Sequence, residues 1–324
     1  MNVYGHQLRV SVFGESHGTT MGVIVDGVPP GIALSPLDFE ADIARRKPGA
    51  KGTTPRIEED KPLLVSGVFN GFTTGAPLAI LFENTNIRSK DYDKAKEVFR
   101  PGHADFVANA KYKGFQDYRG GGHFSGRLTL LFVAAGVIAK KVISGIEITA
   151  KLVSVAGETD IDLGLQKAID RKDSVGGVVE CRCSNVPVGL GEPLFDSVES
   201  IISHAIFSIP AVKGIEFGSG FKATEMFGSD HNDRYTNENG STASNHAGGI
   251  SGGITNGNEI VFRVAIKPTS SIGMEQETWN FERNEMDTLK VQGRHDLCIA
   301  LRVPVIVEAM AALVLADLTL RSSN

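Results

Sequence analysis

Short runs rich in Val, Ile and Phe alternate along the chain with longer apolar stretches of helical length. Leu8–Phe13, Val23–Val28, Leu63–Phe69 and Leu78–Glu83 are bounded by Gly or Pro and predict strands. Ile146–Val155, Val178–Arg182, Val212–Phe217 and Ile260–Ile266 predict four more. Pro36–Arg46 predicts a helix, with Ser35 as N-cap and Pro36 at the first helical position, where its missing N–H is no loss. Ala104–Lys113, Gly126–Ile143, Asp196–Phe207 and Pro304–Leu320 predict the other helices. Leu130–Ala139 has no polar residue, and Val305–Leu315 has only Glu308. Helices apolar on every side are buried between other layers. The mixed order of elements predicts an α+β fold with buried apolar helices between sheets. No linker interrupts the pattern, so residues 1–324 are expected to form a single domain.

Composition narrows the class. Of 324 residues, 41% are hydrophobic and 22% charged, which suits a chain with a substantial core. The apolar run Leu128–Ala139 is too short to cross a bilayer, and Val303–Ala316 carries Pro304 and Glu308. Met1–Val10 lacks the basic-then-apolar pattern of a signal peptide. The expectation is a cytoplasmic protein with no membrane partner. A net charge of −5 argues against a nucleic-acid partner. Cys181 and Cys183 fall on one face of a strand, and Cys298 alone completes neither a disulfide framework nor a zinc pattern. All three cysteines are expected to be reduced, and no metal is expected. Glycine reaches 37 residues, about 11% against an ordinary ~7%. It clusters at Gly120–Gly122, Gly248–Gly249 and Gly252–Gly253, which suits sharp turns and close backbone approach to a ligand. Two polar stretches, Arg45–Lys61 and Gly228–Gly249, read as mobile loops, or as a lid that orders over an anionic ligand.

Gly14-Glu15-Ser16-His17-Gly18 satisfies the G-x-S-x-G pattern of a hydrolase nucleophile elbow. That motif requires a helix next, whereas Met21–Val28 is strand-like and runs into Pro29-Pro30. A serine hydrolase built on Ser16 is therefore the weaker reading. The stronger one is a tight turn that presents Ser16 and His17, a proton donor near neutral pH. Arg45, Arg46, Arg100, Arg119, Arg127 and Arg294 all lie close to Gly or Pro turns. Cations so placed reach bound anions, and Arg does so with two parallel hydrogen bonds. Gly120–Ser125 precedes a predicted helix, a junction that favours phosphate. Lys267–Ser271 offers a cation and three hydroxyls, which suits a second phosphate. Together these point to a polyanionic small-molecule substrate. A protein that binds flavin or anions without catalysis is the third alternative.

The segments Phe13–Gly18, Val25–Ile32, Arg45–Gly49, Ser66–Gly75, Phe99–Asp105, Asp117–Gly122, Ser244–Gly257, Lys267–Ile272 and Gly293–Cys298 closely resemble the chorismate synthase family, in the family's order. The resemblance implies a β-α-β-α layered subunit and a homotetramer. It implies a lyase that forms chorismate and phosphate from 5-enolpyruvylshikimate 3-phosphate by 1,4-anti elimination. That is the last common step of the shikimate pathway to the aromatic amino acids. The family requires reduced FMN although the step has no net redox change.

By that resemblance His17 protonates the departing phosphate, and His103 sets the protonation of the reduced flavin. Ser16 and Asp296 relay the proton from flavin N5. Arg45, Arg46, Arg100, Ser125, Arg127 and Arg294 bind substrate. FMN contacts fall on His123, Phe124, Ser125, Pro210, Ala211, Gly252, Lys267, Pro268, Thr269, Ser270, Ser271 and Arg294. Arg46 and Lys51 match positions associated with NADPH. With no dinucleotide fingerprint in the chain, reduced flavin is expected from an external flavin reductase. The chain departs from the family at His123, where Arg is usual, and at Leu128, where Glu is usual. Losing one charge-assisted hydrogen bond predicts FMN binding weaker by about 1.5–3 kcal/mol.

Overall fold

The computed structural model describes residues 2–49, 52–53, 59–85, 98–291 and 296–322. One antiparallel sheet contains β1 (Val3–Tyr4), β2 (Arg9–Phe13), β3 (Thr20–Asp26), β4 (Leu63–Ser66) and β7 (Leu78–Glu83), in the order β1-β2-β3-β7-β4. A small hairpin, β5 (Val68–Phe69) with β6 (Phe72–Thr73), follows β4. The run expected as one strand over Leu63–Phe69 divides at Gly67. There φ is +85° and a Cβ would stand 2.6 Å from Leu78 Cα.

The second antiparallel sheet contains β8 (Glu147–Val155), β9 (Gly177–Ser184), β10 (Val212–Phe217) and β13 (Ile260–Ile266), in the order β10-β13-β9-β8. Alternation places Ile260, Phe262, Val264 and Ile266 of β13 inside, together with Val179, Cys181 and Cys183 of β9. The cysteine pair shares a buried face, as its spacing predicts, and all three thiols are free. Two hairpins complete the strands: β11 (Ile250–Ser251) with β12 (Ile254–Thr255), and β14 (Glu275–Asn280) with β15 (Glu285–Lys290).

The helices are α1 (Glu40–Arg46), α2 (Asp105–Lys111), α3 (Thr129–Val142), α4 (Ile161–Arg171), α5 (Val198–Ile206), α6 (Gly228–His231) and α7 (Pro304–Ser322). The first sheet lies against α3, α3 against α7, and α7 against β8 and β9 of the second sheet. This is the expected α+β arrangement, with the two predominantly apolar helices between sheets. Gly136 permits the close helix pairing, because a Cβ there would lie 2.3 Å from Ala309 Cβ. α4 has no counterpart among the predicted elements. It packs on the end of β8, where Gly164 lies against Val155 O.

Two carboxylates on α7 are buried and paired with cations. Glu308 accepts both Arg45 guanidinium nitrogens at 2.7 Å, Lys140 Nζ at 3.2 Å and Ala150 N–H at 2.8 Å. Asp317 Oδ1 accepts the N–H groups of His6, Gln7 and Leu8 at 3.0, 2.6 and 2.9 Å, and Asp317 Oδ2 pairs with Arg321 at 2.9 Å. Among the described residues, no helix is long and apolar enough to cross a membrane. The stretch 228–249 is knit around Asp233, which accepts Ser244 Oγ and the N–H groups of His246 and Ala247. The other polar stretch, 45–61, lies partly outside the described residues.

Candidate active site

The turn carrying Ser16 and His17 leads out of β2 and directly into β3. A strand follows where a nucleophile elbow needs a helix, so the hydrolase geometry is absent. Ser16 N–H donates to Gly122 O at 3.1 Å, which docks the turn on the glycine stretch 120–122. Those three glycines have φ of +59°, +81° and +52°. A Cβ on Gly120 would stand 2.2 Å from His17 Cε1 and 2.9 Å from Ser16 Oγ. A Cβ on Gly121 would stand 3.4 Å from His103 Cε1. The bare backbone of the stretch therefore lies between two imidazoles, with His17 at one glycine and His103 at the next. His17 is 5% exposed and Ser16 1%. Ser16 Oγ is buried and makes no hydrogen bond among the described residues.

His103 is oriented by its neighbours. Its Nδ1 lies 2.6 Å from Asp105 Oδ1 and 3.1 Å from Arg100 Nη2; the nearer carboxylate only accepts, so Nδ1 carries the hydrogen, the Arg100 contact is not a hydrogen bond, and Nε2 is left toward Gly121. Arg100 grips the same carboxylate through Nε at 2.7 Å and Nη2 at 2.8 Å, and donates from Nη1 to Ser271 Oγ at 3.0 Å. Burial alone would raise the Asp105 carboxyl, but the hydrogen bonds and charges of Arg100 and His103 outweigh it and hold it far below the usual carboxylate range. Lys267 Nζ and Ser270 Oγ both donate to Gly102 O, at 2.9 and 2.7 Å. The segments around His103 and around Lys267–Ser271 thus form one surface. Beside it, a small cavity between α2 and the glycine stretch is lined by Phe99, His103, Ala104, Ala108, Tyr118 and Phe124.

A third group holds an excess of positive charge. Arg46, 3% exposed, donates to Thr129 Oγ1 and to the carbonyls of Gly126 and Arg127. Arg127 pairs with Asp60 through Nη1 and with Asn84 Oδ1 through Nε at 3.2 Å. Arg302 joins Asp296 Oδ2 at 3.1 Å to Arg46 O at 3.0 Å. Burial, with Arg302 and Arg127 close by, pulls Arg46 down to about 9 despite Asp60 and Asp296. Three guanidinium groups face two carboxylates, and Arg127 Nη2 is buried without a hydrogen-bond partner among the described residues. An anion placed there would relieve both conditions.

Not every residue singled out in the sequence joins this assembly. Arg45 is turned the other way and spent on Glu308 and Asp42. Arg100 is committed to Asp105 and Ser271, and serves as a clamp between segments. The His123 ring lies against its own chain, Nδ1 2.9 Å from Gly14 O and Nε2 3.1 Å from Asn2 Oδ1; both oxygens accept, so a neutral ring donates to one of them at a time. Phe124 is part-exposed beside Tyr112, and Ser125 Oγ accepts Arg127 N–H at the start of the 3-10 turn Gly126–Leu128. Ala211, next to Pro210, accepts Lys267 N–H at 2.9 Å. Gly252 tops the β11–β12 hairpin, and apart from its chain neighbours no described atom lies within 4 Å of where its Cβ would stand. The structure does not bring Gly252 to this group. Arg294 and Lys51 lie outside the described residues. Sequence reasoning missed Asp60, Asn84 and Arg302, which sit in no motif and are revealed only by long-range pairing.

Comparison with known proteins identifies the family. The family model described as chorismate synthase matches residues 8–320. The chorismate synthase of Chitinophaga pinensis is 63% identical over 321 residues, covering 99% of this chain and 97% of that relative. The chorismate synthase of Dehalococcoides mccartyi is 46% identical over 353 aligned positions, again covering 99% and 97%. A solved crystal structure of chorismate synthase superposes with a TM-score of 0.72 at 27% identity, over 98% of this chain and 93% of the other. With its family model matched almost end to end and its glycine stretch set between two imidazoles, the chain belongs to the chorismate synthase family and is a lyase.

Proposed function

We propose that this lyase converts 5-enolpyruvylshikimate 3-phosphate into chorismate and phosphate by a 1,4-anti elimination, with reduced FMN bound in the site. The observation that carries the reading is the placement of His17 and His103 at successive glycines of the 120–122 stretch, beside a buried cluster with more guanidinium than carboxylate. The residues present fit a flavin phosphate. Burial and the nearby Lys213 lower the Lys267 ammonium, and Thr269 Oγ1 is buried without a hydrogen-bond partner among the described residues. An anion relieves both, so Lys267–Ser271 would hold that group. A reduced flavin, when bound, supplies electron density that eases C–O cleavage and a site that takes up the hydrogen.

The chain's own groups do the rest. Arg46 and Arg127 hold substrate anions in a site from which water is largely excluded, where charge stabilisation is strong. His17 gives its proton to the departing phosphate. His103, fixed through Nδ1 by Asp105, keeps Nε2 directed toward the cavity as a proton-holding group. Ser16 and Asp296 carry the second proton outward. We further propose that the chain acts as one domain within a homotetramer in the cytoplasm. NADPH then enters only indirectly, through an external flavin reductase.

An anaerobic assay tests the reading. Phosphate release from 5-enolpyruvylshikimate 3-phosphate should appear with reduced FMN and vanish with oxidised FMN. His17→Ala and His103→Ala should each lower turnover by about 10²–10⁴-fold. Turnover without reduced flavin, or near-normal rates in both variants, would overturn it.

A further inference from the structure

Asn84 follows β7 directly, at the end of the first sheet. Its own N–H donates to Thr19 O at 3.0 Å, which extends the β3–β7 ladder by one step beyond Thr20 and Glu83. That bond points the buried side chain across the turn at 15–18. The two amide hydrogens go to Glu15 O at 3.2 Å and Gly18 O at 2.8 Å, the carbonyls that bracket Ser16 and His17. On its other side the amide oxygen accepts Arg127 Nε at 3.2 Å. The orientation of the amide is fixed by chemistry: carbonyls need the NH₂ end and a guanidinium needs the oxygen. Neither a carboxylate, which lacks donors, nor a hydroxyl, which is too short, can serve all three contacts.

We infer that Asn84 is a positioning residue that sets the distance and orientation of His17 relative to Arg127, the proton donor relative to the anion-binding cation. The inference rests on the roles proposed above for those two side chains. Asp60 pairs with Arg127 through another nitrogen, so Asn84 ties the turn directly to the guanidinium, beside the backbone bond from Ser16 N–H to Gly122 O that docks the turn on the glycine stretch. Loosening that link leaves Arg127 Nη2 in place for an anion but lets the turn, and His17 with it, drift.

A double-mutant cycle tests this. In the anaerobic assay with 5-enolpyruvylshikimate 3-phosphate and reduced FMN, Asn84→Ala should lower kcat by about 10²-fold, the cost of a displacement near 1 Å. In a His17→Ala background the same change should have almost no further effect, because the group it positions is gone. Asn84→Asp keeps the shape and an oxygen for Arg127; it should repeat the pattern and supplies the comparison should the alanine variant not fold. In the free protein labelled with ¹⁵N-histidine, both variants should move the ring resonances of His17 and leave those of His103 unchanged. Equal losses in both backgrounds, a normal kcat for Asn84→Ala, or unmoved His17 resonances would overturn the positioning role alone. A fully active His17→Ala would instead overturn the underlying assignment and the inference with it.

Discussion

Replacing Gly120 by alanine adds one carbon at the most crowded point of the site. Its backbone sits at φ +59°, a left-handed conformation that costs an L-residue about 1–2 kcal/mol. The new Cβ would stand 2.2 Å from His17 Cε1, 2.3 Å from His17 Nδ1 and 2.9 Å from Ser16 Oγ. Ordinary contact begins at 3.4 Å, so the imidazole must retreat by roughly 1.2 Å. A misplacement of about 1 Å at a reacting group costs on the order of 10²-fold in rate. Two other glycines separate strain from displacement. Gly31→Ala meets a comparable backbone penalty at φ +87° with nothing within 4 Å of the added carbon. Gly121→Ala brings its Cβ only to 3.4 Å from His103 Cε1. Gly31→Ala and Gly121→Ala should lose similar stability in urea titrations and Gly120→Ala more, by the cost of overpacking against His17, whereas only Gly120→Ala should lose about two orders of magnitude of anaerobic turnover per folded molecule. If Gly120→Ala kept the activity of Gly31→Ala, or if Gly31→Ala lost as much, the contact between the glycine stretch and His17 would have no bearing on the chemistry.

Two further outcomes follow from buried carboxylates. Asp317→Ala leaves the N–H groups of His6, Gln7 and Leu8 without their acceptor and should lower unfolding free energy by roughly 3 kcal/mol or more in urea, whereas Asp317→Asn, which retains an oxygen, should lose less. Asp105 is held below its ordinary value, so its stabilising contribution is complete above about pH 3.9 and is lost as pH falls from there toward the lowered value. Thermal melts between neutral and acid pH should therefore show a steeper acid loss for wild type than for Asp105→Asn, and parallel curves would refute the assignment.

The elements legible in the sequence are those whose apolar pattern is strong. β7 and β13 are short apolar runs, β7 flanked by Gly and Pro, and α3 and α7 carry long stretches with little or no polar surface, so their burial could be read directly. The β14–β15 hairpin was invisible because its strands, Glu275–Asn280 and Glu285–Lys290, are largely polar and mostly solvent-facing. α4 was missed for a different reason. Gly164 interrupts its helical signal, yet that glycine is what lets the helix touch Val155 O. At the site, the glycine stretch, His17, His103 and Arg127 stood out because their neighbours force special backbone. Arg45 and Arg46 could not be told apart, since adjacent helical residues point about 100° apart and only tertiary packing decides which faces Glu308. His123 is a different case: the family resemblance implies an FMN contact there, and in the fold its ring lies against Gly14 O and Asn2.

The placement of α7 bears on how the molecule is made. Translation delivers this segment only after both sheets have left the ribosome, yet it is the layer on which α3 and the second sheet rest. Until then α3 can cover the first sheet, but its own opposite side and the inner face of the second sheet stay open, a state prone to clumping and in need of chaperones. Because Asp317 also fastens residues 6–8, the link between β1 and β2, that early segment gains its acceptor only once this helix is in place.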